Sequence, residues 1–346
     1  MKRFSIIRTR PVFKETVWGG SRLKSVFGYD IPSDRTGECW AIAAHRNGDC
    51  VIEGAGHDGK TLSWLWKNEP DFFYAGVYND GCRSGDRKSN EDFPLLVKMI
   101  DAREDLSIQV HPDEEYARIH ENGAHGKTEC WYILDCDKDA QIIIGHNAKS
   151  REELEYMINN GLWNDLIRRI PIKKGDFFQI SPGTVHAIKG GTMILETQQN
   201  SDITYRLYDY DRLSGGKPRM LHIRQSIDVI CTPFDPEPGF DRGRPLEGGQ
   251  NSSLVKCGYY QVWHLICTGH EIYGLFPDRF MLCSVISGSG AIRLRYTGHE
   301  SSAPEEIGKG DHFIIPAGCD TADLEGNIEL ICSVCYDDLS YYSRLV

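Results

Sequence analysis

The sequence predicts a mainly β protein built from two jelly rolls, with helical segments confined to its N-terminal half. Three observations carry this expectation. Short alternating segments such as YYQVWHLIC, FMLCSVIS, AIRLRYTG, DHFIIPAG and IELICSVCY fill the second half between glycines and polar turns, the pattern of an antiparallel sandwich or barrel. Similar strands, PLLVKMID, LSIQVHP, ECWYILD and AQIIIGH, recur in the first half. A turn–strand–turn unit also occurs twice, as GDFFQISPGTVHAI from Gly175 to Ile188 and as GDHFIIPAGCDTAD from Gly310 to Asp323.

Taken in chain order, TLSWLWKNEPDFFY reads as a helix capped by Thr61. SREELEYMINNGLWNDLIRRI reads as another, capped by Ser150, with Leu154, Met157, Ile158 and Gly161 at helical spacing. The Pro/Gly-rich stretch CTPFDPEPGFDRGRPLEGG divides the halves. The expected organisation is a metal-binding unit at 1–235, a linker at 236–250 and a second jelly roll at 251–346. In each copy of the repeat Gly-Asp opens a turn, the apolar run is a strand, and Pro and Gly turn the chain into the next strand. That is the hairpin of a cupin-type jelly roll, whose next residue points inward. The first copy puts His186 there and the second Thr321, so the second roll is expected to lack a metal.

Composition narrows the function classes. A net charge of −11 over 346 residues argues against a nucleic-acid partner, which needs a basic face. The basic N-terminus is followed by no long apolar stretch, so no signal peptide is expected. No apolar run approaches the roughly 20 residues of a membrane helix. The 12 cysteines are scattered, as expected of reduced thiols in a cytoplasmic protein. Cys332 and Cys335 form a lone CxxC in an apolar segment, where a terminal strand is expected and no chemistry.

His186 has candidate companions. Gln109 and His111 are two apart in LSIQVHP and share one strand face, while Pro112 ends the strand and leaves the imidazole at its tip. Glu129 begins another strand in GKTECWYIL, on the face of Trp131 and Ile133. A buried carboxylate there is relieved by a cation. Two imidazoles and a carboxylate suit Zn²⁺, and equally Fe(II), with Gln109 as a fourth ligand or a hydrogen-bonding neighbour.

These residues lie in long ordered segments: ETVWGGSRL, TGECWAIAAH, FPLLVKMIDAREDLSIQVHPDEEYA, GKTECWYIL and ISPGTVHAI…GTMILETQQNSDITYRLYDYDR. Through them the chain resembles the type I mannose-6-phosphate isomerases, particularly their shorter bacterial branch. The resemblance implies one zinc ion held by His111, Glu129, His186 and Gln109. It implies interconversion of mannose 6-phosphate and fructose 6-phosphate through an enediol. It implies Arg206 as the active-site arginine, on a strand that also carries Asp209 and Asp211, and Lys98, Ser107 and Lys127 as substrate-cleft residues suited to a phosphate. Glu196 lies on the strand face opposite Met193 and Leu195, close to a family glutamate, and is the candidate proton carrier. SDITYR departs from the SDNxxR of longer relatives, which puts the contacts around Arg206 in question. A phosphorylated hexose is the expected partner, with neither nucleic acid nor membrane, for a cytoplasmic monomer or homodimer. The rival readings are a non-catalytic sugar-phosphate binder and an Fe(II) cupin oxygenase.

Overall fold

The computed structural model describes residues 5–54, 56–74, 92–235, 251–298 and 301–335; the expected linker at 236–250 lies outside them. The fold is mainly β and of jelly-roll type, but its sheets have free edges and stack without closing into barrels. The first roll pairs a six-stranded sheet with a five-stranded one. Across the six-stranded sheet the strands run Phe177–Ile180, Glu129–Cys136, Thr192–Gln199, Leu95–Ala102, Val12–Gly20 and Thr36–Ile42. Across the five-stranded sheet they run Ile167–Pro171, Gln141–His146, His186–Ile188, Ile108–Val110 and Tyr205–Tyr208.

Alternation along the strands gives the six-stranded sheet two apolar faces. Ile100, Trp131, Ile133 and Ile194 point toward Ile142, Ile144 and Ile188 of the five-stranded sheet. Val97, Met99, Tyr132, Met193 and Leu195 point the other way, into a core shared with Tyr260, Leu282, Ile314 and Ile331 of the second roll. The sheet is therefore a middle layer, and strands Leu95–Ala102 and Thr192–Gln199 are buried along their whole length. Each large aliphatic side chain so buried contributes about 1.5–3 kcal/mol relative to exposure.

The second roll is an eight-stranded sheet dominated by Tyr260–Gly274, Met281–Arg295 and Thr321–Cys335. Two of its strands, Ile7–Arg10 and Val51–Glu53, come from the N-terminal half, with Ile7 opposite Ile314. The segments FMLCSVIS and AIRLRYTG, expected to be separate strands, form one. The glycines between them bend the strand without ending it. Gly288 has φ 76°, and a Cβ there would lie 1.9 Å from Asn327 O, so only glycine allows that approach.

Thr61 caps helix Leu62–Asn68 by accepting from Trp64 N at 3.3 Å. Ser150 caps Arg151–Asn159 by accepting from Glu153 N at 3.2 Å. Leu154, Met157 and Ile158 form the buried stripe of that helix, but Gly161 lies beyond its end at φ 65°. IRRI, expected to continue the helical segment, lies instead in the edge strand Ile167–Pro171. Cys332 and Cys335 lie on the last described strand, and the Cys332 thiol donates to Cys283 Sγ at 3.5 Å. Among the described residues no helix is long and apolar enough to cross a membrane.

Candidate active site

Two rows of side chains meet between the sheets of the first roll. In the five-stranded sheet His186 pairs with Gln109, and Gln109 with Arg206, so the three stand side by side on adjacent strands. In the six-stranded sheet Glu196 is flanked by Lys98 and Trp131, and Glu129 pairs with Gln198. Directly paired residues project from the same face, so these groups converge on one cavity of about 180 Å³. The strand alternation in the sequence is thus realised in space: Lys98, Ser107, Gln109, Lys127, Glu129, Glu196 and Arg206 all line it.

His111, Glu129 and His186 are fully buried, and their donor atoms lie within 4.8 Å of one another. His111 Nδ1–H donates to Ile203 O and His186 Nδ1–H to Thr184 O, both at 2.8 Å. A carbonyl only accepts, so each Nδ1 carries the proton and each Nε2 presents a lone pair. The two Nε2 atoms face each other at 3.2 Å, and each is 3.4 Å from a Glu129 oxygen. Lone pairs and a carboxylate converging in this way attract positive charge, part of which the Lys127 ammonium supplies, 3.1 Å from His111 Nε2. The donor set therefore fits a borderline divalent metal. Burial holds both imidazoles below the ordinary histidine range, helped at His111 by the Lys127 charge, which keeps them neutral as ligands must be. The Gln109 amide nitrogen is 3.3 Å from His186 Nε2. Turned half a revolution about its last bond, the amide presents oxygen there instead.

Lys127 donates to Glu129, and to Glu196 Oε1 at 3.2 Å, with His111 Nε2 at 3.1 Å. Lys98 Nζ meets the other Glu196 oxygen at 3.2 Å. Burial opposes the charge on Lys98, but Glu196, then Glu38 and Glu129, outweigh it and hold its pKa above the usual value. Burial raises the Glu129 carboxyl, but the Lys127 ammonium beside it outweighs this and holds it below its usual range. Glu196 goes the other way: burial, then the neighbouring Glu129, raises it. Two adjacent carboxyls with pKa values driven apart are how one site separates a ligand from an acid–base group.

Arg206 is partly buried on the cavity wall, donating from Nη1 to Met220 O at 3.0 Å, while its Nε is buried without a partner among the described residues. It is not simply paired with Asp209, whose carboxylate binds Arg212 and Arg219. Arg219, which also lines the cavity, escapes sequence reasoning, and Asp209, noted there only as a neighbour of Arg206, is its partner. Arg219 sits just past the Gly215–Gly216 turn with no periodic neighbour to mark it. Trp18 and Trp40 complete the walls, with Trp40 Nε1 donating to Glu38 at 2.6 Å.

A jelly-roll protein with a buried His–Glu–His donor set and a second buried carboxyl beside it belongs with the cupin-type proteins, and comparison makes the class specific. Residues 6–144 match the model of the phosphomannose isomerase type I catalytic domain, and 254–335 that of the mannose-6-phosphate isomerase cupin domain. The chain is 49% identical to mannose-6-phosphate isomerase ManA of Bacillus subtilis, over 94% of this chain and 97% of that one. It is 44% identical to a mannose-6-phosphate isomerase of Streptococcus mutans, over 92% and 94%. The crystal structure of the mannose 6-phosphate isomerase from Bacillus subtilis superposes with a TM-score of 0.80 at 41% identity, covering 95% of this chain and 99% of that one. The chain belongs to the type I phosphomannose isomerases, and is an enzyme of that family.

Proposed function

We propose that this enzyme interconverts mannose 6-phosphate and fructose 6-phosphate with one zinc ion, held by His111, Glu129 and His186 with the Gln109 amide as fourth ligand. The observation that carries this reading is Glu196, a buried carboxyl that lines the same cavity as Glu129 of the convergent donor set and is joined to it through Lys127. A zinc ion held by His111, Glu129 and His186 would supply Lewis acidity to the open-chain sugar. The rest is done by side chains. Glu196, ionised between Lys98 and Lys127, removes the C2 proton of the aldose. The C–H electron pair forms the C1–C2 double bond of an enediol as O1 gains a proton. Returning the carried proton to C1, with loss of the O2 proton, gives the ketose.

Arg206 stabilises negative oxygen during the transfer; its guanidinium remains charged and donates without exchanging the proton being moved. Lys98, Ser107 and Lys127 contact the substrate from the cavity floor. On this reading the chemistry lies within residues 1–235, and the unit at 251–346, beyond the linker at 236–250, supports it by packing on the middle sheet. The enzyme works in the cytoplasm, where its phosphorylated substrate is found, as a monomer or homodimer.

The test is formation of fructose 6-phosphate from mannose 6-phosphate by chelator-stripped protein, with and without added Zn²⁺. Activity lost on stripping and restored by Zn²⁺ supports both substrate and cofactor. Folded protein that binds one Zn²⁺ per chain yet turns over no substrate overturns the reading.

A further inference from the structure

The segment that carries Lys127 and leads into the strand of Glu129 is held from outside the cavity. Successive backbone amides, those of Gly126, Lys127 and Thr128, each donate to a group beyond the segment. Gly126 N donates to Glu114 Oε2 at 2.9 Å, Lys127 N to Pro112 O at 3.1 Å, and Thr128 N to Gln199 Oε1 at 2.9 Å. Gln199 N returns a bond to Thr128 O at 3.0 Å. The holders come from two places. Pro112 and Glu114 follow His111 in the chain, and Gln199 ends the strand that carries Glu196.

Glu114 ties these holders to each other. Its Oε2 also accepts from Gln199 Nε2 at 3.0 Å, and its Oε1 accepts from His125 Nδ1–H at 2.8 Å. Burial raises the Glu114 carboxyl, but its hydrogen bonds with His125, Gly126 and Gln199 outweigh this and hold it below the usual range. The carboxylate is not occupied in capping. Asp113 caps helix Glu114–His120 by accepting from Tyr116 N at 2.8 Å. The backbones also meet closely. A Cβ on Gly126 would lie 2.5 Å from Asp113 C and from Glu114 N, so only glycine lets the segment press on the start of the helix. Gln199 is buried with both ends of its amide engaged, one by Glu114 and one by Thr128.

Resting on the isomerase reading, we propose that Glu114 is a positioning residue of the reaction: with Gln199 it clamps residues 125–128 and so fixes Lys127 and Glu129 against His111 and Glu196. It acts through those side chains and touches neither metal nor substrate. A loosened segment lets Glu129 withdraw from the imidazoles and Lys127 from Glu196, so zinc affinity and proton transfer weaken together. Partners one remove from a metal carry about tenfold to 100-fold of its affinity or activity.

Two conservative variants separate reach from charge. Glu114→Gln keeps the reach: its oxygen serves Gly126 N and Gln199 Nε2, and its amide donates to His125 Nδ1 in the other tautomer. Glu114→Asp keeps the charge beside the helix start, but its carboxylate falls one methylene short of the donors. The experiment measures the zinc dissociation constant of chelator-stripped protein by competition with a chelating dye, and kcat/KM for mannose 6-phosphate at saturating zinc. Glu114→Asp and Glu114→Ala are expected to raise the zinc constant and to lower kcat/KM, each by about tenfold to 100-fold, with Glu114→Gln within about threefold of wild type. The site is partly exposed on a helix, where alanine is well tolerated. Ser150→Ala, which uncaps helix Arg151–Asn159, is the control: it should lower the melting temperature and leave the zinc constant unmoved. Zinc binding within about twofold of wild type in folded Glu114→Asp, or a loss in Glu114→Gln equal to that in Glu114→Ala, overturns the proposal. So does a zinc constant that Ser150→Ala shifts as far, since general stability then accounts for the effect. Wild type that binds zinc but is inactive on mannose 6-phosphate overturns the isomerase reading instead, and the zinc constants of the variants still judge the clamp.

Discussion

The two copies of the Gly-Asp turn share their backbone bonding and differ in the side chains they point inward. Asp176 accepts from Lys173 N and Asp311 from Gly308 N, both at 2.9 Å. Gly175 N donates to Ile133 O and Gly310 N to Val285 O; Ile133 N and Val285 N donate back to Asp176 O and Asp311 O, all at 2.9 Å. The glycines stand at φ 90° and 94°. This common register identifies counterparts. Ile180 faces Glu129 and Ile315 faces Met281, while His186 pairs with Gln109 and Thr321 with Gly274. Carboxylate, imidazole and amide are replaced by thioether, hydroxyl and hydrogen. Met281 packs with Cys283, Phe313, Ile315 and Leu324 in a continuous apolar core, where the first roll has its polar cavity. Backbone bonds hold the turn and side chains alone make the site, so the same fold can carry chemistry or packing.

Exchanging counterparts tests that separation most severely. His186→Thr gives the first roll the second roll's residue and is expected to lower kcat/KM by more than about 1000-fold, as lost ligation exceeds the tenfold to hundredfold effect of a supporting residue. Elemental analysis should find the metal gone while the circular dichroism of the sheets persists; retained metal and activity would remove His186 from the ligand set. Glu196→Gln is expected to slow kcat by about 100-fold to 10,000-fold. Its metal content should be unchanged and solvent deuterium incorporation into product slowed equally. Unaltered exchange would transfer the proton-carrying role elsewhere.

The reverse exchange should damage the fold. Met281→Glu buries a carboxylate with none of the cations that surround Glu129, and urea unfolding should register a loss of about 3 kcal/mol or more. A change below about 1 kcal/mol would mean that the second roll tolerates charge as the first does.

The smallest expected effect concerns His312, the counterpart of Phe177. It is buried between Tyr29 Oη at 2.7 Å and Ser284 Oγ at 2.9 Å, and burial lowers its pKa to about 3. The unfolded chain takes up a proton near the ordinary value of about 6.5 that the folded chain refuses. Stability from this group is therefore complete above that pH and falls on acidification toward the folded pKa, by about 2 kcal/mol at pH 5. His312→Phe should start less stable at pH 8 and show a flatter decline between pH 7 and 5. Parallel curves for the two proteins would exclude His312 as the source.

Much of the site could be read from local sequence because strand geometry is periodic. Gln109 and His111 are separated by one residue, and Glu129, Trp131 and Ile133 by one each. Glu196 falls opposite Met193 and Leu195 in the pleat, as the alternation requires. The turn chemistry of Gly-Asp and Pro-Gly located His186. Gly288 was misleading for a physical reason: locally it looks like a turn, and only the Asn327 backbone across from it keeps the strand going.

Thus the local sequence determined the β character, the repeated turns and which residues could be ligands, since each depends on neighbours a few positions apart. Tertiary structure alone decided that Ile7–Arg10 completes the sheet of the second roll and that Tyr132 and Leu195 bind the rolls through one apolar core. It also decided that Asp209 holds Arg219 at the cavity wall. Strand partners, shared cores and ion pairs join residues far apart in the chain, and no periodicity in the sequence records which of many possible partners will meet.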